Sequence, residues 1–307
     1  LSIKGFLALA EIFLALAVWG LALMGVLTGQ ALVLRWLYYL AWYPLVLCLD
    51  GLLFRLKGES WLLSRPRELG QMAFWSVTGW LVFEALNLFL KNWGYLGVLD
   101  PWWLRWPGYA LAFATVFPGV LLTAELLAAL GLGQGLRGRP RDLGTWQPFS
   151  LLLGVALLVL PLIFPAYAFP LIWLAFIFLL DPFCELLGAP SLIGRLAAGE
   201  RQEHLCLLGA GLLCGLWWEL WNWPATAKWV YTLPVFRFWK VFEMPLPGYL
   251  GFPPFALECA VMYSFFKALE TRLSPHPRRR FLAYLCYLFF WLLMFAAIDR
   301  WTVRSFG

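Results

Sequence analysis

Two pairs of residues interrupt an otherwise apolar chain: Glu84 with Asn87, and Glu219 with Asn222. Three positions apart on a helix, each carboxyl shares a face with its amide. Further along, Pro118 precedes Glu125 and Pro253-Pro254 precedes Glu258, so helix-breaking residues stand shortly ahead of two more carboxyls. A charged carboxylate at the centre of a membrane span costs about 2.5–3.5 kcal/mol on insertion scales, which marks such residues as functional candidates. Held protonated by apolar surroundings, a carboxyl can serve as a general acid. Nearby faces of Trp, Tyr and Phe can stabilise the carbocation left when a double bond takes up that proton. Glu219 and Glu258 are the expected acid and its partner, with Glu84 and Glu125 as their counterparts. Asn222 and Asn87 are expected to orient the carboxyls, and Trp229, Tyr231, Trp93 and Tyr95 to line a substrate pocket, with Lys228 and Lys91 at matching outer positions. The alternative for each of these polar groups is that they bond one another and merely lock a helix bundle.

The elements that must position these residues follow from composition. Of 307 residues, 63% are apolar and 13% charged, against roughly one-half and one-quarter in soluble domains. That excludes an ordinary soluble enzyme and a disordered chain, and predicts an all-α polytopic membrane protein. A span needs about 20 mostly apolar residues. Such stretches run over 5–28, 33–54, 71–91, 107–131, 147–163, 166–181, 204–222, 248–268 and 281–298. The fifth and sixth are short and nearly continuous, so two spans or one re-entrant pair both fit, giving eight or nine transmembrane helices. The first apolar run is longer than a signal-peptide core and reads as a retained helix.

Basic residues set the orientation. Arg55, Lys57, Arg65 and Arg67, then Arg137, Arg139 and Arg141, then Arg278-Arg279-Arg280 gather at the end that carries Lys4. The other end holds the more scattered Arg35, Lys91, Arg105, Lys228, Arg237, Lys240, Arg300 and Arg304. The positive-inside rule places the N-terminus in the cytoplasm and, with nine spans, the C-terminus outside a bacterial-type inner (plasma) membrane. Trp93, Trp102, Trp103, Trp106, Trp223, Trp229 and Trp239 crowd the outer face, where indole rings form interfacial belts and the loops are expected to lie flat on the membrane. The triple arginine after Pro277 is expected to meet anionic headgroups.

The chain also reads as a tandem duplication. Leu49-Asp50, Glu59-Ser60, Glu84/Asn87, Trp93/Tyr95 and the Pro118–Glu125 stretch recur as Leu180-Asp181, Pro190-Ser191, Glu219/Asn222, Trp229/Tyr231 and Pro253–Glu258, in the same order and at nearly constant spacing. The first unit is 1–135, a basic cytoplasmic loop is 136–145, the second unit is 146–272, and 273–307 adds one helix. Four spans precede the second unit, an even number, so two parallel pseudo-repeats about an axis along the membrane normal are expected.

Glu219, Asn222, Trp229, Tyr231, Gly248, Leu250, Gly251, Pro254 and Glu258, with the echo in Glu84, Asn87, Trp93, Tyr95, Pro118 and Glu125, resemble the membrane-embedded lycopene cyclase domain of carotenoid pathways, tandemly duplicated. The resemblance covers about two-thirds of the chain. It implies acidic residues that protonate a linear polyene so that its end closes into a ring, without metal or redox change. The chain departs from that pattern where Leu257-Glu258 and Ala124-Glu125 stand in place of adjacent acids, where Glu219 with Asn222 replaces an aspartate, and in extra helices at 5–28, 147–163 and 281–298.

No metal or cofactor is expected. The cysteines form no C-x-x-C pair, and the only histidines, His204 and His276, stand beside charged loop residues. Gly131-Leu132-Gly133-Gln134-Gly135 lacks the Gly-Lys-Ser/Thr of a phosphate loop. The basic excess follows topology, so nucleic acid is not an expected partner. Three functions remain: an intramembrane lyase or isomerase of a long apolar isoprenoid or lipid, a non-catalytic pigment- or lipid-binding subunit of a membrane complex, or a transporter. The last would need more polar lining than this chain offers.

Overall fold

The computed structural model describes residues 2–233 and 239–304; Arg237, counted above among the outer cations, lies outside them. The protein is an all-α polytopic membrane protein. Its helices are α1 (Ile3–Leu27), α2 (Ala31–Lys57), α3 (Trp61–Ser64), α4 (Pro66–Leu90), α5 (Trp102–Phe113), α6 (Val116–Ala129), α7 (Gln147–Ile163), α8 (Pro165–Ala168), α9 (Ile172–Leu186), α10 (Leu192–Ala197), α11 (Gln202–Asn222), α12 (Phe252–Leu273) and α13 (Pro277–Trp301). Four short strands interrupt them: β1 (Trp93–Leu96), β2 (Lys228–Tyr231), β3 (Lys240–Val241) and β4 (Met244–Pro245).

Among the described residues, seven segments are long and apolar enough to cross a membrane, with α5 and α6 together forming one of them. At 17 residues, α7 reaches only about 26 Å, a little short of the hydrocarbon layer, and it packs along α9. α12 is long enough but carries Glu258, Lys267, Glu270 and Arg272, and falls outside the seven.

Close packing of small side chains takes over where lipid removes the hydrophobic drive between helices. On α1 the buried stripe is Gly5, Ala8, Ala15, Ala22 and Gly25, while Phe6, Phe13 and Leu14 point outward. This stripe lies on α2, where Gly51 comes so near the Ala8 carbonyl that a methyl group would collide with it. The centre of the bundle is aromatic: Trp42 tilts against Trp218 with ring centroids 4.8 Å apart, and Trp75 stacks on Phe266 at 4.9 Å.

The stretch expected as one helix over 107–131 is broken between α5 and α6. Pro118 has no N–H and its ring excludes the carbonyl four residues back, which ends α5 just before Ala114. Ser76 of α4 fills the gap: its hydroxyl donates to the Phe113 carbonyl at 2.5 Å and accepts the Phe117 amide at 2.9 Å. A side chain thus replaces one turn of backbone bonding, as at other helix kinks.

Two acidic residues organise the corners after α2 and α9 in the same way. Asp50 accepts the Ser60 hydroxyl at 2.6 Å and the Leu62 amide at 2.7 Å. Asp181 accepts the Ser191 hydroxyl at 2.6 Å and the amides of Leu192 and Ile193 at 2.7 and 3.0 Å. Both carboxylates are fully buried, and each satisfies the orphan donors of a short helix that turns the chain.

α13 leans on α4 and is fixed at both ends. Near its start, Glu270 of α12 receives Gln71, Trp75, Arg280 and Tyr284. Arg280, expected to face headgroups with its two neighbours, is turned to this carboxylate at 2.9 Å. Near its end, Asp299 receives Arg105 twice, at 2.7 and 2.6 Å, together with Trp106 and Tyr109.

Candidate functional site

The strands β1 and β2 pair antiparallel, with Trp93 opposite Tyr231, Gly94 opposite Val230 and Tyr95 opposite Trp229. Side chains alternate along a strand, and directly opposed residues point the same way. Trp93, Tyr95, Trp229 and Tyr231 therefore share one face of the ribbon. The segment after α13 completes this small sheet: the Tyr95 amide donates to the Thr302 carbonyl, and the Arg304 amide to that of Tyr95, both at 2.9 Å.

That aromatic face meets two fully buried carboxyls. The Oε1 atom of Glu84 accepts Tyr95 Oη at 2.5 Å and the indole N–H groups of Trp93 and Trp80 at 3.0 Å. The Oε1 atom of Glu219 accepts Tyr231 Oη at 2.7 Å and the Trp229 indole at 3.4 Å, and that indole also reaches Tyr231 Oη at 2.9 Å. In both glutamates the second oxygen is buried with no partner among the described residues. Burial, and then the adjacent carboxylate, push the Tyr95 and Tyr231 phenols well above their usual range, so both remain O–H donors.

The amides act on the ribbon and not on the carboxyls. Asn87 accepts the Asn92 and Trp93 amides at 2.8 and 3.2 Å and donates to the Trp93 carbonyl at 3.0 Å. Asn222 accepts the Trp229 amide at 3.0 Å and donates to its carbonyl at 2.9 Å. Each asparagine fastens the start of a strand to the end of the helix before it. Asn222→Ala should leave the Trp229 backbone pair unsatisfied, at about 1–3 kcal/mol. Amide hydrogen exchange at Trp229 should then accelerate tenfold or more; unchanged exchange would show that the ribbon holds itself.

In front of the ribbon lies a cavity of about 200 Å³, far above the about 10–15 Å³ that one water requires. Trp93, Tyr95, Trp229 and Tyr231 line it from one side, and Tyr38, Tyr109, Trp173, Trp218 and Phe255 are among the residues that close it from the helices. Lys228 also lines it, while Lys91 caps α4 in a left-handed conformation, φ 54°, with its side chain exposed.

The other two expected acids lie elsewhere. Glu258 is fully buried in the second turn of α12 and accepts the Phe176 amide of α9 at 2.9 Å. It shares no hydrogen bond with Glu219, because it faces α9 while Glu219 faces the ribbon. Glu125 stands about one turn further along α6 than Glu258 does along α12. There it is partly exposed and accepts Lys57 at 2.5 Å and the Trp61 indole at 2.6 Å. Matched in sequence, these two carboxyls occupy different surroundings.

The seven tryptophans expected at the outer face divide in two. Trp102, Trp103, Trp223 and Trp239 are exposed, as an interfacial belt requires. Trp93 is buried, Trp229 is half-buried, and Trp106 donates to Asp299. The segments that carry Trp93 and Trp229, expected to lie flat on the membrane, pair with each other and turn these side chains toward the helices. Sequence reasoning also passed over Trp80, although its position four residues before Glu84 places it on the same helix face. It read Arg105 only as a topology signal and left Asp299 unassigned. No protein family, curated protein or solved structure matches the chain.

Proposed function

We propose that this membrane protein holds a long apolar isoprenoid or lipid in the aromatic cavity and passes it a proton from Glu219 by way of Tyr231, or from Glu84 by way of Tyr95. One observation carries the reading: a cavity walled by the four aromatic residues of the ribbon, with a buried carboxyl directly behind each Trp-x-Tyr pair. The phenols, not the carboxyls, are among the groups that line the cavity. In the proposed step the carboxyl proton moves to the phenol oxygen as the phenol proton passes to a carbon–carbon double bond. The resulting carbocation sits among aromatic faces, and a neighbouring carbon returns a proton through the phenol to the carboxylate, which gives an isomerised or cyclised product with no net redox change. The likeness of these motifs to the membrane-embedded lycopene cyclase domain supports the same class of reaction.

We also propose that 1–135 and 146–272 are parallel repeats, followed by an added helix in 273–307, with the N-terminus cytoplasmic. The strand register supports this, because exchanging Trp93 with Trp229 and Tyr95 with Tyr231 leaves the pairing unchanged. Under this arrangement the cavity lies between the two units and faces the outer leaflet.

A second reading is a pigment- or lipid-binding subunit of a membrane complex that does no chemistry. It is favoured by the occupation of both carboxyls by indole and phenol donors, which a purely structural lock would also show. Mass spectrometry of lipids retained by the purified protein, compared with the double variant Glu84→Gln with Glu219→Gln, separates the readings. The catalytic reading expects a chemically altered product in the wild type, with formation slowed about 10²–10⁴-fold in the variant. Identical product in both would remove acid catalysis. One stoichiometric, unaltered lipid in both would favour the binding subunit.

A further inference from the structure

An apolar cavity in a membrane protein leaves open which end of a lipid it takes, and the cations at its wall address that question. Among the described residues, three basic side chains line it: Arg35, Arg105 and Lys228. Arg105 is committed to the Asp299 carboxylate and to the carbonyls of Leu99 and Asp100. Lys228 pairs with Glu243 at 2.6 Å on a half-buried surface. Arg35, in the second turn of α2, is exposed and has no hydrogen-bond or ionic partner among the described residues. The Thr226 amide donates to the Leu34 carbonyl at 3.0 Å, which sets the segments carrying Arg35 and Lys228 side by side.

With two of these three cations matched by carboxylates, the described part of the wall retains an unmatched positive charge, beside a second cation, at the edge of an aromatic chamber. This combination suits an amphiphile with an anionic head. A guanidinium recognises phosphate oxygens through two parallel N–H bonds, which a neutral hydrocarbon end cannot use. Resting on the reading that the cavity holds a long apolar chain, we infer that its ligand is a phosphate-headed membrane lipid, with its chain against Trp93, Tyr95, Trp229 and Tyr231 and its phosphate on Arg35 and Lys228. Arg35 then fixes the depth at which the chain meets the ribbon.

The test uses the full chain in detergent, with quenching of tryptophan fluorescence by dioleoyl phosphatidic acid and by dioleoylglycerol, both with brominated chains. The phosphatidate should bind at least tenfold more tightly than the neutral lipid. Arg35→Glu should remove that preference, with dioleoylglycerol affinity unchanged, and Arg35→Lys should restore part of it. Because Arg35 is exposed and unpaired among the described residues, both variants should retain the wild-type Tm, which also controls for folding. Equal binding of the two lipids to the wild type, or a preference that survives Arg35→Glu, would overturn the phosphate assignment and leave the apolar-chain reading standing. Failure of both lipids to quench would overturn the cavity reading as well. Displacement of the phosphatidate by millimolar inorganic phosphate would assign the cations to a free anion and overturn the lipid source.

Discussion

Asp299→Ala should lower the stability of the protein by about 3–5 kcal/mol, the loss found when one partner of a buried ion pair is removed. The side chain of Arg105 is only 8% exposed and would retain its charge without the carboxylate that holds its guanidinium through two bonds. The indole of Trp106 and the phenol of Tyr109 would lose their acceptor at the same time. Thermal unfolding in detergent measures the effect. Replacing both partners together, Arg105→Leu with Asp299→Leu, should recover a substantial part of the loss, since the penalty comes from the stranded charge and not from the absence of the pair. A single variant within about 1 kcal/mol of the wild type would show that water or headgroups reach Arg105.

The second large effect is expected at the opposite end of the bundle. Asp181→Ala removes the acceptor of one hydroxyl and two amides, all buried or partly buried. At about 1–3 kcal/mol for each donor left unsatisfied, the loss should approach or exceed about 3 kcal/mol. Asp50→Ala removes the acceptor of one hydroxyl and one amide, so it should be the milder of the two. Limited proteolysis provides the local readout, with cleavage between Ala189 and Ala198 accelerated in the Asp181 variant ahead of any change elsewhere. Equal effects of the two alanines would show that donor number does not set the penalty.

Most of the helical framework could be read directly, because runs of apolar residues longer than a bilayer is thick admit few other structures. The buried chemistry was harder to place. Asp50 and Asp181 appeared in the sequence as matching positions, but their role required knowing that Ser60 and Ser191 begin short helices. Glu84 and Glu219 were legible as buried acids, whereas the partners that occupy them come from four-residue strands too short for alternation to show. Trp93 and Trp102 look alike in composition and context. One turns inward because Asn87 captures the backbone beside it, and the other stays at the surface of α5. The pairing of Glu125 with Glu258 relied on prolines as landmarks, yet Glu125 lies seven positions after Pro118 and Glu258 four after Pro254, which moves the two carboxyls about a turn apart.

The small sheet has a consequence for biogenesis. Its first strand waits for a neighbour from the second half of the chain and for another from the segment beyond the last helix. Contacts so distant along the polypeptide form late and slowly. While the protein is being inserted, Trp93 and Tyr95 emerge long before the residues that will flank them. The aromatic chamber can close only after nearly all of this chain has left the ribosome, so a prematurely stopped product would keep several spans and still lack the walls of that chamber.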